Sequence, residues 1–394
     1  MAMFAHFPTL NPSCQKNAGK ANEEVRMFRN CCPVSSFPSN AKSSAALVSV
    51  AVCCLVAVTR PRAVPLAAPA DTDGRIGGRP IAELWVPSRP AHAWFTNAQC
   101  RPLLTRFTCD QCLPLVYLAS FPRSGNTWLR YLLEASTGLV TTNGHPDFRT
   151  YRNQTSDGII LNEEQLWTWP VGNKELMNYG YVGERIPWSQ GVGIVSKTHM
   201  LPEPWSRAEA ENAPHALSPF PETVPRRAVL LIRDPFKAVI SLRKYGETQS
   251  ILNEKDMSYL FRGKGWRNYS SYLSRVWFKT NTQWLQATNE THVVLYERLR
   301  QDPMGELRAL LRFLQVEPDR RRLECLRGEL EGIAHNHRHG VVPDGETYPL
   351  RVRAELWSYI HQLHWLLRDR GYPGLPLQQY SFADEFSEIN IRTH

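Results

Sequence analysis

A short apolar run that ends in a glycine-containing loop constrains this chain most. The run LVYLA ends at Ala119, and the segment SFPRSGNTW follows it from Ser120 to Trp128. Beyond this loop, apolar residues recur at helical spacing. In a strand–loop–helix unit the backbone N–H groups of the loop converge on an anion, and the new helix adds its positive end. The segment therefore predicts an α/β fold with a phosphate-binding loop.

The side chains of this loop suit a phosphate or sulfate group. Gly125 lets the backbone approach a ligand closely, and Ser124 and Thr127 carry hydroxyl donors. Arg123 adds a permanent cation with planar, bidentate reach. The loop has neither the second glycine nor the lysine of a Walker loop, which argues against a nucleotide kinase. Taken alone, an ordinary strand-to-helix turn is the alternative.

Two other predicted strands end in polar residues. The run RAVLLIR ends at Arg233 and suits a buried parallel strand, and Pro235 is well placed to begin the next helix. Ser241 lies about two helical turns beyond Arg233. The run GIVSKTH ends in Lys197 and His199, which share one face of a strand. A lysine and a histidine together offer a charge stabiliser and a base, which suits transfer to a hydroxyl group.

These segments resemble those of sulfotransferases that use 3′-phosphoadenosine-5′-phosphosulfate, or PAPS, as sulfuryl donor. In that family a loop similar to YPKSGTTW holds the 5′-phosphosulfate, and here it runs from Phe121 to Trp128. The resemblance implies that Arg233 and Ser241 hold the 3′-phosphate. It also implies that Lys197 and His199 act in catalysis, with His199 as the general base of an in-line displacement.

The resemblance extends to the adenine and to a late segment of the chain. The run VVLYE is similar to a family segment whose tyrosine lies near the adenine, so Tyr296 takes that role and Trp128 stacks on the same base. Arg338, His339 and Gly340 resemble an Arg-Lys-Gly that closes on the 3′-phosphate. The implied donor-binding residues are Arg123, Ser124, Gly125, Asn126, Thr127, Trp128, Arg233, Ser241, Tyr296, Arg338 and Gly340. The implied catalytic residues are His199, Lys197 and Arg123, and no metal is required.

Within this family the chain is most similar to the WSC-domain-containing sialate O-sulfotransferases of the Golgi, through SFPRSGNTW, KTH, LIRDPFKA, KYGE and GKGW. The implied fold is a P-loop-like, three-layer α/β structure with a central parallel sheet, and the implied acceptor is a glycan hydroxyl, with sialic acid as the candidate. Two features differ. No Cys-rich WSC module precedes the core in this sequence, and Arg123 stands where the cytosolic branch has Lys. A catalytically silent carbohydrate- or nucleotide-binding relative and a nucleotide kinase are the alternatives.

The sequence before and after this core predicts a membrane-anchored protein. Residues 1–42 are polar and modestly basic, which is typical of a disordered tail. Residues 43–59 carry no charge and have the length of a short transmembrane span. Residues 60–110, rich in Pro, Arg and Ala, predict a stem. The predicted sulfotransferase domain is 111–380, and 381–394 form a C-terminal tail.

We expect residues 43–59 to be a signal anchor that leaves the amino end in the cytosol and the catalytic domain in the Golgi lumen. A cleaved signal peptide and an internal apolar run are the alternatives. A luminal domain would contain an even number of cysteines in an oxidising compartment, which predicts disulfides. These cysteines are Cys100, Cys109, Cys112 and Cys325. Sequons for N-glycosylation occur at Asn153, Asn268 and Asn289.

The composition agrees with a globular enzyme that binds an anion. The content of hydrophobic residues is 42%, enough for a sizeable core, and the formal net charge is +9. The basic residues are scattered and form no nucleic-acid-binding signature, so nucleic acid is not expected as a partner. His335, His337 and His339 alternate without neighbouring acids or cysteines, so no metal site is predicted there.

Overall fold

A five-stranded parallel sheet is the centre of the fold in the computed structural model. The structure describes residues 74–143, 174–186, 190–199, 201–202, 227–248, 257–332 and 347–386. The strands in these parts are β1 Arg75–Ile76, β2 Arg79–Pro80, β3 Ala91–His92, β4 Thr105–Arg106, β5 Val116–Ser120, β6 Thr142–Asn143, β7 Ser196–Thr198, β8 Arg227–Ile232, β9 Glu290–Leu295 and β10 Val316–Glu317. The helices are α1 Ile81–Leu84, α2 Asn126–Thr137, α3 Lys174–Asn178, α4 Pro235–Thr248, α5 Gly263–Ala287, α6 Tyr296–Gln301, α7 Pro303–Phe313, α8 Arg320–Gly328, α9 Leu350–Asp369 and α10 Ala383–Phe386, with 3₁₀ turns at Ser258–Phe261 and Leu377–Gln379.

The order of the strands in the sheet is β6-β7-β5-β8-β9, and every neighbouring pair is parallel. Leu118 of β5 pairs with Lys197 of β7, and Ala119 pairs with Leu230 of β8. Because all five strands run in one direction, their carboxyl ends meet at a single edge of the sheet. This arrangement confirms the predicted α/β fold with a central parallel sheet.

Helices cover both faces of the sheet. Along β5, Tyr117 and Ala119 belong to one core cluster, whereas Val116 and Leu118 belong to the other. This division follows from the alternation of side chains along a strand. Helices α5 and α9 close the first cluster, and α2 and α7 close the second. The three layers explain why β5 and β8 are apolar almost throughout, as the sequence predicts.

The structure differs from the predicted amino-terminal boundary of the domain, which is residue 111. The sequence predicts a stem over 60–110, but its described part, 74–110, packs against the core of the domain that contains the parallel sheet. Trp94 and Phe95 are buried there, and β1 pairs with β10. A disulfide joins Cys100 to Cys325 of α8. Strands of two residues leave no periodicity in the sequence, so tertiary contacts alone determine this segment.

The carboxyl-terminal tail also begins with packed residues. The sequence predicts a tail from residue 381, yet Ser381 donates from its main-chain N–H and its hydroxyl to the carboxylate of Asp234, both at 2.9 Å. Phe386 is buried against Trp357 of α9. The described chain therefore remains part of the core up to the end of α10.

Other sequence predictions fall partly outside the described residues. The predicted span 43–59 and the tail before it are among those, and none of the helices that the structure describes is long and apolar enough to cross a bilayer.

A second disulfide joins Cys109 to Cys112. The sequon residues Asn268 and Asn289 are exposed, whereas Asn153 lies outside the described residues.

Candidate active site

The predicted phosphate-binding loop lies between β5 and α2, at the carboxyl edge of the sheet. Its backbone enters the left-handed region twice, with φ of 66° at Arg123 and 102° at Gly125. A Cβ atom at Gly125 would lie 2.6 Å from ring carbons of Tyr296. Glycine is therefore required here both by the backbone conformation and by the approach of a neighbouring side chain.

Two arginines and a serine meet beside this loop. The Nε atom of Arg123 donates to the hydroxyl of Ser241 at 3.0 Å, and Nη1 of Arg233 donates to the carbonyl oxygen of Arg123 at 2.8 Å. The Arg233 guanidinium lies 4.4 Å from the centre of the Tyr296 ring, and that of Arg123 lies 5.0 Å from the Tyr245 ring. The structure thus brings together residues from three strand ends that the sequence assigns to one donor site.

The charge of this cluster suits an anion. Burial lowers the pKa of Arg123 to about 10, and the positive charge of Arg233 acts in the same direction. The Arg123 guanidinium therefore stays protonated near neutral pH. Ser124 Oγ and Arg233 Nε are buried and have no hydrogen-bond partner within the described residues. Because unpaired buried donors are costly, an anion with several oxygens, such as a phosphate or sulfate group, fits this set of groups.

His199 is held by the end of β5. Its Nδ1 atom lies 2.9 Å from the carbonyl oxygen of Ser120 and 3.3 Å from the Ser120 hydroxyl. Since a carbonyl oxygen only accepts, Nδ1 carries the proton in that bond, and the lone pair of the neutral ring is on Nε2. Asn126 donates to the Ser120 hydroxyl at 3.1 Å. The Asn126 side chain therefore connects the loop to His199 through Ser120. The sequence predicts Asn126 as a donor-binding residue and does not indicate this contact.

Lys197 belongs to a charged network that sequence reasoning missed. Its Nζ atom lies 3.5 Å from Glu184 Oε1, and Glu184 Oε2 accepts from Nη1 of Arg130 at 2.5 Å. Burial lowers the pKa of Lys197, and Glu184 opposes that shift. Arg130 is a charged residue among the apolar positions of α2, and such a pattern indicates a buried ion pair. Glu184 lies in turns without periodicity, and the sequence carries no signal for it.

The remaining predicted residues are placed as follows. Trp128 is buried, donates from its indole N–H to the carbonyl of Leu330 at 2.9 Å, and meets the Tyr296 ring edge-on at 6.1 Å. The carbonyl of Thr127 accepts from the Tyr181 hydroxyl at 2.8 Å. The segment with Arg338, His339 and Gly340 lies outside the described residues, as do His335 and His337. The individual roles assigned to all these residues stay predictions.

Among the described residues, no three or more His, Cys, Asp or Glu side chains are grouped so that they could hold a metal ion.

A family model for the sulfotransferase domain matches residues 113–336, more than half of the chain. The chain belongs to the sulfotransferase family. The family resemblance predicted from the sequence is thereby confirmed, and the parallel sheet described above is the α/β sulfotransferase fold. PAPS is the sulfuryl donor that this family uses.

Relatives of this chain include proteins of the WSCD family. One from Drosophila pseudoobscura pseudoobscura is 28% identical over 243 residues, which cover 61% of this chain and 63% of the relative. One from Drosophila melanogaster is 28% identical over 248 residues, which cover 62% of this chain and 64% of the relative. The match thus spans less than two thirds of the length of these relatives.

Two more distant matches are also sulfotransferases. Protein-tyrosine sulfotransferase 1 of Danio rerio is 24% identical over 218 residues, which cover 54% of this chain and 56% of that protein. The crystal structure of a mouse sulfotransferase complexed with PAP is 16% identical, with a TM-score of 0.37, and the match covers 66% of this chain and 87% of that one.

Proposed function

We propose that this chain transfers the sulfuryl group of PAPS to a hydroxyl of a glycan, with sialic acid as the first acceptor to test. The observation that carries this proposal is the contact of His199 Nδ1 with the carbonyl oxygen of Ser120 at 2.9 Å. With the Nδ1 proton in that bond, Nε2 carries the lone pair that a general base requires, and this supports the proposed role of His199 beside the phosphate-binding loop. A catalytically silent relative would have no need of a histidine fixed in this tautomer.

The donor would be held by the cationic cluster. Arg233 and Ser241 take the 3′-phosphate, Tyr296 and Trp128 take the adenine, and Arg123 with the loop amides takes the 5′-phosphosulfate. The paired guanidinium groups and the unpartnered Ser124 hydroxyl support this assignment. PAPS supplies the activated sulfuryl group, and the protein supplies position and charge.

The residues of this chain then have distinct tasks. His199 Nε2 accepts the proton of the acceptor hydroxyl as that oxygen attacks. Lys197 and Arg123 stabilise the negative charge that moves towards the leaving phosphate. Because the pKa of Arg123 remains at about 10, its guanidinium neutralises charge without donating its proton near neutral pH.

We also propose that the protein is a single-pass Golgi membrane protein whose catalytic domain faces the lumen. The disulfides Cys100–Cys325 and Cys109–Cys112 support an oxidising compartment. The exposure of the sequon residues Asn268 and Asn289 agrees with this location. Residues 43–59 would supply the membrane span.

Calorimetric titration of the full-length chain with 3′-phosphoadenosine-5′-phosphate, or PAP, tests the donor. We expect PAP to bind and ATP with magnesium to bind much more weakly. Radiolabelled PAPS with matched sialylated and desialylated glycans then tests the acceptor. A folded chain that prefers ATP, or binds neither nucleotide, would contradict the proposal. Labelling of both glycan sets alike would exclude sialic acid as the acceptor.

A further inference from the structure

A carboxylate, Glu184, lies between two cations beside the proposed catalytic centre. One of its oxygens accepts from Arg130 at 2.5 Å, and the other lies 3.5 Å from the ammonium nitrogen of Lys197. The side chains of Arg130 and Glu184 are 0% and 1% exposed, and that of Lys197 is 13% exposed. Burying an ion pair costs so much desolvation that such a group needs further partners to persist.

The network behind Glu184 holds this carboxylate in place. Arg130 donates through Nε to the Thr141 hydroxyl at 2.7 Å, and its guanidinium lies 4.8 Å from the Tyr181 ring. Asn143 at the end of β6 donates to the same Glu184 oxygen that faces Lys197, at 3.4 Å. Glu184 is therefore fixed from the side of the core, and Lys197 lies on its other side, towards the carboxyl edge of the sheet.

The charges around Lys197 explain why it needs such a partner. Burial lowers the pKa of Lys197 most, Glu184 raises it, and the positive charges of Arg130 and Arg123 lower it further. Both arginines lie close enough to this ammonium group for their charges to affect its pKa. Without the carboxylate, a lysine among two guanidinium groups would lose its proton more readily and would be free to turn.

We propose that Glu184 is the positioning residue of Lys197, which it orients at the donor site and keeps protonated during sulfuryl transfer. This inference rests on the sulfotransferase function proposed above. Glu184 affects the reaction through Lys197, so we expect its removal to change the protonation of the active site more than the binding of nucleotide.

The test compares wild type with Glu184→Gln, which keeps the shape and removes the charge. Hydrolysis of radiolabelled PAPS without acceptor is measured against pH, and PAP affinity and melting temperature are measured in parallel. Because the protonated lysine is the active form, loss of Glu184 moves the alkaline limb of the kcat/KM profile to lower pH, by about 1 to 3 pH units. PAP affinity changes much less.

Three variants separate positioning from a structural effect. Glu134→Gln removes another buried carboxylate that bonds Thr141 but not Lys197, so its alkaline limb stays with that of wild type. Lys197→Arg in the Glu184→Gln background moves the alkaline limb back to higher pH, because a guanidinium keeps its proton more firmly than an ammonium group. Glu184→Asp keeps the charge and therefore keeps the wild-type limb; it is the variant to use if Glu184→Gln fails to fold.

The outcomes distinguish this inference from the proposed function. An unshifted limb in Glu184→Gln, or a lowered limb in Glu184→Asp, overturns the positioning role alone while wild type still binds PAP and consumes PAPS. An equal shift in Glu134→Gln overturns it as well, because the effect would then belong to the whole network. A folded wild-type chain that neither binds PAP nor consumes PAPS overturns both proposals.

Discussion

The Nε atom of Arg123 donates a hydrogen bond to the Ser241 hydroxyl at 3.0 Å, across 118 positions of sequence. Arg233, just before α4, donates to the main-chain carbonyl of Arg123. These two hydrogen bonds join the loop after β5 to the segment that contains α4. Two guanidinium groups of like charge are held close together there. A ligand with several negative charges relieves this repulsion, and PAPS is such a ligand.

Replacing Arg233 by alanine removes one of these two charges and the hydrogen bond to the Arg123 carbonyl. We expect PAP affinity to fall by about 1.5 to 3 kcal/mol, the usual contribution of a charged hydrogen bond. Calorimetric titration gives this value. Arg227→Ala is the control, because Arg227 lies at the opposite end of the same strand, where it pairs with exposed Glu290. Equal PAP affinities of Arg233→Ala and wild type would show that Arg233 does not bind the donor.

Gly125→Ala tests the conformation of the loop. The new Cβ would meet the Tyr296 ring at 2.6 Å, and its φ of 102° is strained for alanine. We expect the free energy of unfolding to drop by about 1 to 3 kcal/mol and PAP binding to weaken. At Gly246 of α4 a Cβ meets no atom within 4 Å. Gly246→Ala should therefore be neutral or stabilising by up to about 1 kcal/mol. Similar losses in both variants would exclude this explanation.

His199→Ala separates chemistry from donor binding. Loss of a general base lowers turnover by about 10² to 10⁴, while PAP affinity stays within error of wild type. The control is His364→Ala on α9, since His364 also hydrogen-bonds a main-chain carbonyl, that of Leu375, at 3.2 Å. Rates of PAPS turnover and calorimetric affinities decide the question. Full activity of His199→Ala would show that another group takes the proton.

Much of the candidate site can be predicted from the sequence because strand ends are local features. The apolar runs before Ser120, Lys197, Arg233 and Tyr296 each specify a buried strand, and parallel strands bring their carboxyl ends to one edge. The helix start at Pro235 follows from its fixed φ and missing N–H. The order of the strands in the sheet and the loops that follow them then bring these residues close to one another.

The parts that could not be predicted depend on contacts between distant segments. Glu184 reaches Arg130 and Lys197 from a stretch of turns, and neither composition nor spacing indicates that pairing. Segment 74–110 contains strands of only two residues, so its Pro-rich sequence suggests a stem although it packs on the core. The side chain of Asn126 donates a hydrogen bond to Ser120, and this contact depends on the position of His199 beside β5.

The carboxyl group of Glu297 predicts a pH-dependent stability. Burial, and then the nearby charge of Asp234, raise the pKa of Glu297 to about 7, above its ordinary value of 4.5. Between these values the folded chain binds a proton that the unfolded chain does not, so stability falls as pH rises through this range. Glu297→Gln mimics the protonated form. It should raise the free energy of unfolding at about pH 8, by roughly 3 kcal/mol at most, and change it little at about pH 5.

Urea unfolding of Glu297→Gln near both pH values measures this difference. Glu290→Gln is the control, because the Glu290 side chain is 59% exposed and lies at the other end of β9. Its effect should be small and the same at both pH values. An effect of Glu297→Gln that does not grow with pH would mean that Glu297 is already charged in the acidic solution.

The two disulfides should contribute unequally to stability. Cys100–Cys325 closes a loop with a sequence separation of 225 and ties segment 74–110 to α8, whereas Cys109 and Cys112 are separated by 3. A longer closed loop restricts the unfolded chain more, so Cys100→Ser with Cys325→Ser should cost about 2 to 5 kcal/mol. Cys109→Ser with Cys112→Ser should cost clearly less. Equal changes in urea midpoint for the two double variants would show that native contacts near the cysteines, rather than loop length, determine their contribution.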